Sequence, residues 1–310
     1  MLDRLKNVLM DKNIVIVGFG KEGISTYNFI RRYFPKQKLT IMDADKDLLN
    51  KNNFLLDDDN VVIVLDNEFN DLDNYDMIVK SAGVSFKDRD IGTYRDKITS
   101  QMELVLECYS DNVIGITGTK GKSTTASLIF KVLNDNGKKV KMVGNIGIPI
   151  FDEIDLITED TIYVIEMSAL QLEFVDSSPH IGIILNLYEE HLDFFNSKED
   201  YFLAKMNMFK FMNASDYGLY TSDSDILNSY VKNNNYNCNL FDISKEMSIR
   251  DGYVYIGDKK IYNTCDERSL LGKHNLVDIE FVLYLSELLN LDLNKTIVSI
   301  NEFKSLEHRL

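Results

Sequence analysis

The chain has 310 residues, 45% of them hydrophobic and 27% charged, the make-up of a soluble globular protein long enough for two domains. Its formal net charge of −15 argues against a nucleic-acid partner, yet a few backbone N–H groups and one lysine can still hold a phosphate inside an acidic protein. No apolar run is long enough to insert in a membrane, and the N-terminal MLDRLKNVLMDKN lacks a signal core. Three widely spaced cysteines (Cys108, Cys238, Cys265) read as reduced thiols of a cytoplasmic protein, with no zinc site.

Residues 13–19, NIVIVGF, form an apolar β-branched run that predicts a buried strand. The turn Gly18-Phe19-Gly20-Lys21-Glu22-Gly23 leads from it into a helix with apolar spacing at Tyr27, Ile30 and Phe34. This is G-x-G-x-x-G between strand and helix, and an acid, Asp43, closes the next strand, LTIMD. The pattern reads either a phosphate-bearing ribonucleotide, NAD and FAD among them, or merely a close strand–helix crossing. Further strands at 60–66 and 76–84 complete a parallel, helix-covered sheet over residues 1–105.

A second α/β unit is expected over 106–303. Residues 113–117, VIGIT, predict a strand that feeds Gly-Thr-Lys-Gly-Lys-Ser-Thr (118–124) and a helix over 122–136 ending at Gly137. Strands are expected at 161–168, 181–187 and 216–222, helices at 198–212 and 275–289, and a surface loop in the asparagine-rich stretch 232–239. Residues 304–310 read as the start of a linker.

Chemistry concentrates in this second unit. The usual phosphate-loop pattern puts a glycine where Ile116 stands; here glycines occupy 115, 118 and 121. The strand–turn–helix order still aims backbone N–H groups and a helix N-terminus at an anion, with Lys122 on the phosphates and Ser123 on magnesium. The plainer alternative is a tight turn whose glycines serve packing. Glu166 lies at the C-terminal end of a buried strand, the edge where open α/β sheets bind ligands, and suits Mg²⁺ beside a phosphate loop. His191 sits among Glu189, Glu190 and Asp193, either as a structural histidine or as a second metal ligand. Lys205 has apolar neighbours Phe202, Leu203, Met206 and Phe209; by default it snorkels, and on the sharper reading it is a modified or substrate-contacting amine.

Taken together, GTKGKST, Glu166-Met-Ser-Ala-Leu-Gln-Leu-Glu173, Asn186 through His191 to Asp193, Ala204-Lys205, Gly144-Asn145-Ile-Gly, Gly272-Lys-His-Asn275 and His308-Arg309-Leu310 resemble the Mur ligases, ATP-dependent amide-forming enzymes of peptidoglycan synthesis. Within the family the similarity is to the members that add D-glutamate. The resemblance implies a Rossmann-like first domain holding the UDP part of UDP-N-acetylmuramoyl-L-alanine, with Gly18, Phe19, Gly20, Gly23, Asp43, Ser81 and Gly83 around it. It implies a central P-loop ATPase-type domain in which Gly118, Thr119, Lys120, Gly121, Lys122, Ser123 and Thr124 take the ATP phosphates. Ser123 and Glu166 would bind one Mg²⁺ and His191 a second, supported by Lys205 carbamylated on its amine. Asn145 would touch the muramoyl substrate, and Asn275 and Arg309 the nucleotide. The expected enzyme is a monomer, with D-glutamate as its second substrate.

Some positions depart from the family pattern. Lys120 replaces an asparagine, Glu190 (or Glu189, if the alignment slips by one) stands where an aspartate precedes the histidine, and Asp278 replaces the second asparagine of H-N-x-x-N. Family members also carry a third, C-terminal α/β domain, so these 310 residues are expected to bind substrate with little or no ligation. Two alternatives stay open: a non-catalytic nucleotide-binding paralogue or half of a split ligase, and an NAD-dependent oxidoreductase built on GFGKEG.

Overall fold

The computed structural model describes residues 2–304 apart from 67, 145–147, 155–157, 159 and 191–192. Asn145, His191, Arg309 and the expected linker start after 304 lie outside the described residues.

Five parallel strands make the first sheet: β1 (Ile14–Val17), β2 (Leu39–Asp43), β3 (Val61–Leu65), β4 (Met77–Lys80) and β5 (Ile98–Thr99), in the order β3-β2-β1-β4-β5. Every residue of β1 is buried, as expected of a central strand covered on both faces. The strand order reverses at β1, so the turns after β1 and β4 open the crevice where doubly wound sheets take ligands.

Six parallel strands form the second sheet: β6 (Val113–Thr117), β7 (Val140–Gly144), β8 (Ile162–Glu166), β9 (Ile181–Ile184), β10 (Tyr217–Tyr220) and β11 (Asn239–Asp242). Their order, β11-β10-β9-β6-β8-β7, places the fully buried β6 centrally, with β8 on one side and β9 on the other. The loops after β6, β8 and β9 therefore meet at one edge. The helix Lys122–Asp135 follows β6, and the helices Lys273–Leu288 and Leu293–Glu302 pack against it.

A small antiparallel sheet, β12 (Met247–Arg250), β13 (Tyr253–Ile256) and β14 (Lys259–Asn263), has no counterpart in the sequence reading. Its first turn is Asp251-Gly252, both at positive φ (50° and 78°), the backbone of a tight hairpin. The asparagine-rich stretch is mostly an exposed connection, but Tyr236 and Cys238 within it pack on the core.

The two large sheets share contacts. Phe29 packs its ring on Phe151, centroids 4.7 Å apart, and the Glu103 carboxylate accepts from the Asp176 and Ser177 N–H groups and the Ser177 hydroxyl. Lys80, 4% exposed, lies 3.7 Å from the Glu173 carboxylate and beside the Phe174 ring. Burial pulls the Lys80 amine down and pushes the Glu173 carboxyl up, each outweighing the attraction of the other.

Candidate functional site

The first crevice is a cavity of about 650 Å³ at the ends of β1, β2 and β4, lined among others by Gly18, Gly20, Lys21, Asp43, Ser81 and Gly83. Gly18 turns the chain at φ 86°, and a Cβ there would sit 2.4 Å from the Val84 side chain, so only glycine fits. The Ser81 hydroxyl donates to the Gly18 carbonyl (2.7 Å), tying the two turns together. Asp43 accepts from the N–H groups of Phe19 (2.5 Å) and Asp45 (2.7 Å), which orients its carboxylate at the cavity wall.

Two of the residues expected around the nucleotide, Phe19 and Gly23, do not line this cavity. The Phe19 ring is buried edge-on against Tyr27, because its side chain leaves the turn toward the core, and Gly23 lies under the Gly18 carbonyl in the first turn of the helix. Gly144, at the end of β7 in the second sheet, and Pro149, just before the helix Ile150–Glu153, also line the cavity. Gly144 pairs in register with Glu166, so this cavity reaches the edge where Glu166 stands.

At that edge β6 runs into the glycine turn. Gly121, φ 86°, is the N-cap of the helix Lys122–Asp135. A Cβ on it would lie 2.9 Å from Asp278 Oδ1, so that carboxylate packs directly on the turn. Asn186, after β9, clamps the loop: its side-chain oxygen accepts from the Thr119 (3.0 Å) and Lys120 (2.9 Å) N–H groups, and its amide donates to the Lys120 carbonyl. Two successive N–H groups thus converge on this one oxygen, which fixes the shape of the turn. Lys120 itself is exposed and Thr124 half-exposed on the first turn. The Lys122 amine bends back onto the Gly118 and Thr119 carbonyls (2.9 and 3.1 Å).

Ser123 donates to Glu166 Oε2 at 2.8 Å, both residues being buried. Two hard oxygen donors this close suit Mg²⁺, which takes one or two protein oxygens and fills its remaining positions with phosphate and water. Among the described residues no group of three or more His, Cys, Asp or Glu side chains could hold an ion.

Lys205 corrects the default expectation of snorkelling. The helix Lys198–Lys210 turns it inward, 2% exposed, where its amine donates to the Gly118 carbonyl (2.9 Å) over the Tyr201 ring. Burial, helped by the neighbouring Lys122, lowers its pKa to about 7 against the pull of Glu190 and Glu166. Asn275 is half-exposed on the helix Lys273–Leu288, its amide donating to the Leu271 carbonyl (2.6 Å). One turn on, Asp278 is buried, and burial pushes its carboxyl up to about 7 despite the Thr125 hydroxyl.

The structure thus brings Gly118 to Ser123, Glu166 and Lys205 together, with Asn275 on the helix that packs Asp278 on the loop. Sequence reasoning missed the clamp by Asn186, although its place just after a buried strand was a usable signal. It also missed Glu22, whose carboxylate reaches Gln171, 149 residues away, an interaction no local pattern reveals.

Comparison with known proteins sharpens this geometry. The family model described as "Mur ligase middle domain" matches residues 116–282, from the strand before the glycine turn to the helix carrying Asp278. A UDP-N-acetylmuramoylalanine–D-glutamate ligase of Clostridioides difficile is 30% identical over 319 aligned positions, covering 97% of this chain and 69% of its own length. A ligase of the same name from Clostridium botulinum is 29% identical, over 99% of this chain and 68% of its own. In fold, the crystal structure of the UDP-N-acetylmuramate:L-alanyl-gamma-D-glutamyl-meso-diaminopimelate ligase from Neisseria meningitides superposes with a TM-score of 0.60 at 14% identity, over 96% of this chain and 99% of that one. A family match over more than half the chain, centred on the loop that Asn186 clamps and Lys205 supports, places the chain among the Mur ligases, a family of ATP-dependent amide-forming enzymes.

Proposed function

We propose that the chain carries the UDP-substrate and ATP sites of a ligase that adds D-glutamate to UDP-N-acetylmuramoyl-L-alanine in peptidoglycan synthesis. On this reading residues 1–105 are the UDP-substrate domain and 106–303 the ATP domain, 304–310 begin a linker, and the enzyme is a cytoplasmic monomer. The observation that carries the reading is the continuous wall of the first cavity, from Gly18 and Ser81 in one sheet to Gly144, the register partner of Glu166, in the other. A nucleotide-sugar seated at the first turn would extend its far end toward the phosphate loop.

In this proposal the N–H groups at the start of the helix Lys122–Asp135 and the Lys122 amine orient the ATP phosphates, with Asn186 holding the Thr119 and Lys120 N–H groups and so the shape of the turn, while Asp43 and Ser81 position the uridine half of the substrate. The alanyl carboxylate attacks the γ-phosphorus of ATP and ADP leaves, giving an acyl phosphate; the D-glutamate amine then attacks the acyl carbon, phosphate leaves, and the amine proton passes to solvent. Two anions must approach, so charge neutralisation dominates the barrier, and Lys122 supplies one fixed positive charge. Magnesium, when bound, would add the rest, with Ser123 and Glu166 to hold one ion and, on the family resemblance, His191 and Lys205 to serve a second. An amine with a pKa near 7 is largely neutral at pH 8, the form that takes up CO₂, which supports a carbamylated Lys205.

A crystal structure with UDP-N-acetylmuramoyl-L-alanine tests the reading. Diphosphate density at Gly18 and Ser81 with the alanyl carboxylate beside Gly144 is expected; a ligand bound in the opposite orientation, or elsewhere, would overturn it.

A further inference from the structure

Glu22 stands at the second position of the helix Lys21–Tyr33, inside the glycine turn that opens the first cavity. A carboxylate is favourable at a helix N-terminus, but here it lies where an anionic ligand would be expected. It is fully engaged across the molecule. Oε2 accepts from the Ala82 N–H (2.8 Å), in the turn after β4, and Oε1 accepts from Gln171 Nε2 (3.0 Å), in the second half of the chain. Its backbone carbonyl accepts from Gln101 Nε2 (3.0 Å).

Gln171 is equally committed. Its side-chain oxygen accepts from the Ser168 N–H (3.0 Å), and Ser168 Oγ accepts from the Gln171 N–H, a closed capping box on the short helix Ala169–Leu172. That box fixes the segment just after β8. There the Met167 N–H donates to the Ile116 carbonyl (2.8 Å), and the Thr117 hydroxyl donates to the Met167 carbonyl (2.7 Å), beneath the phosphate loop. Glu166, bonded to Ser123, is the preceding residue. Hydrogen bonds from Glu22 through Gln171 to Ser168, continued by the backbone from Ser168 to Glu166, therefore join the wall of the first cavity to the carboxylate of the second site.

We propose that Glu22 is a positioning residue that couples the two sites through Gln171, so that an anionic nucleotide in the first cavity tightens nucleotide binding at the phosphate loop. The inference rests on the proposed assignment of the two cavities. A diphosphate entering beside Gly18 and Gly20 repels the Glu22 carboxylate and holds it against Ala82 and Gln171. That fixes the Ser168 box and the setting of Glu166, so the phosphate loop loses less freedom when it takes its own ligand.

A designed exchange isolates this link. In Glu22→Gln the amide oxygen still accepts from Ala82, but its NH₂ faces the NH₂ of Gln171; Gln171 cannot turn over without breaking its box. Adding Gln171→Glu restores the bond with its polarity reversed, since glutamate closes a capping box as well as glutamine does. Calorimetric titration of MgADP, with and without saturating UDP-N-acetylmuramoyl-L-alanine, reads the coupling. In the parent chain the second ligand is expected to tighten MgADP about fivefold or more. The ratio should fall to about one in E22Q, each ligand still binding alone, and should recover in E22Q/Q171E. A parent chain that binds both ligands with no mutual effect, coupling that survives in E22Q, or coupling that E22Q abolishes without recovery in the exchange variant would each overturn the link. A parent chain that binds neither ligand would instead defeat the assignment of the cavities, and the link with it.

Discussion

Asp278→Asn provides a quantitative test of the packing on the phosphate loop. The Asp278 carboxyl, 6% exposed, packs on Gly121 and is pushed from 3.8 to about 7 by burial. The folded chain therefore binds more protons at this group than the unfolded chain between pH 4 and 7, so stability falls as pH rises through that window and levels off above it. A shift of some three pKa units corresponds to about 4 kcal/mol as an upper bound, and local relaxation reduces it. Asparagine keeps the shape and removes the charge. In urea titrations D278N should be more stable than the parent by about 1–4 kcal/mol at pH 8, with the gap nearly closed at pH 4. The same variant should bind MgADP more tightly at pH 8, since a negative charge beside the phosphates is gone. A stability gap that does not change with pH, or a less stable D278N at pH 8, would refute the reasoning.

Other consequences are open to direct measurement. Gly121→Ala places a Cβ at positive φ against Asp278 and should cost about 1–3 kcal/mol, with loss of MgADP binding by calorimetry. Ser123→Ala removes the donor to Glu166 and should weaken MgADP binding far more than it weakens ADP binding in the presence of a chelator. Lys205 should gain the mass of one CO₂ in bicarbonate at pH 8 and lose it at pH 6, read by native mass spectrometry, whereas exposed lysines should not. Glu173→Ala leaves the Lys80 amine buried without its carboxylate and should cost about 3 kcal/mol in chemical denaturation.

Much of this arrangement was legible in the sequence because it follows from local rules. β1, β2 and β6 are runs of buried β-branched and apolar residues, and the glycines at 18 and 121 stand where positive φ is needed. Those signals gave the parallel α/β class and both turns. The antiparallel sheet was missed although Asp251-Gly252 is a hairpin signal, because β12 to β14 are mostly exposed or half-buried and carry little apolar periodicity. The helix Leu2–Leu9 was hidden by its charges, which lie opposite buried Leu5 and Leu9. Lys205 was readable only as an ambiguity, since spacing cannot say whether an amine among apolar neighbours turns out or in. The Glu22–Gln171 bond and the packing of Asp278 on Gly121 join residues 149 and 157 positions apart and follow from topology alone.

The central claim is that the first cavity is shaped for a muramoyl nucleotide rather than a nicotinamide cofactor. Calorimetric titration of UDP-N-acetylmuramoyl-L-alanine, with NAD⁺ as comparator, tests it most directly. Saturable binding of the muramoyl nucleotide, lost on replacing Gly18 with valine, and no heat from NAD⁺ is the predicted result; NAD⁺ binding without binding of the muramoyl nucleotide would contradict it.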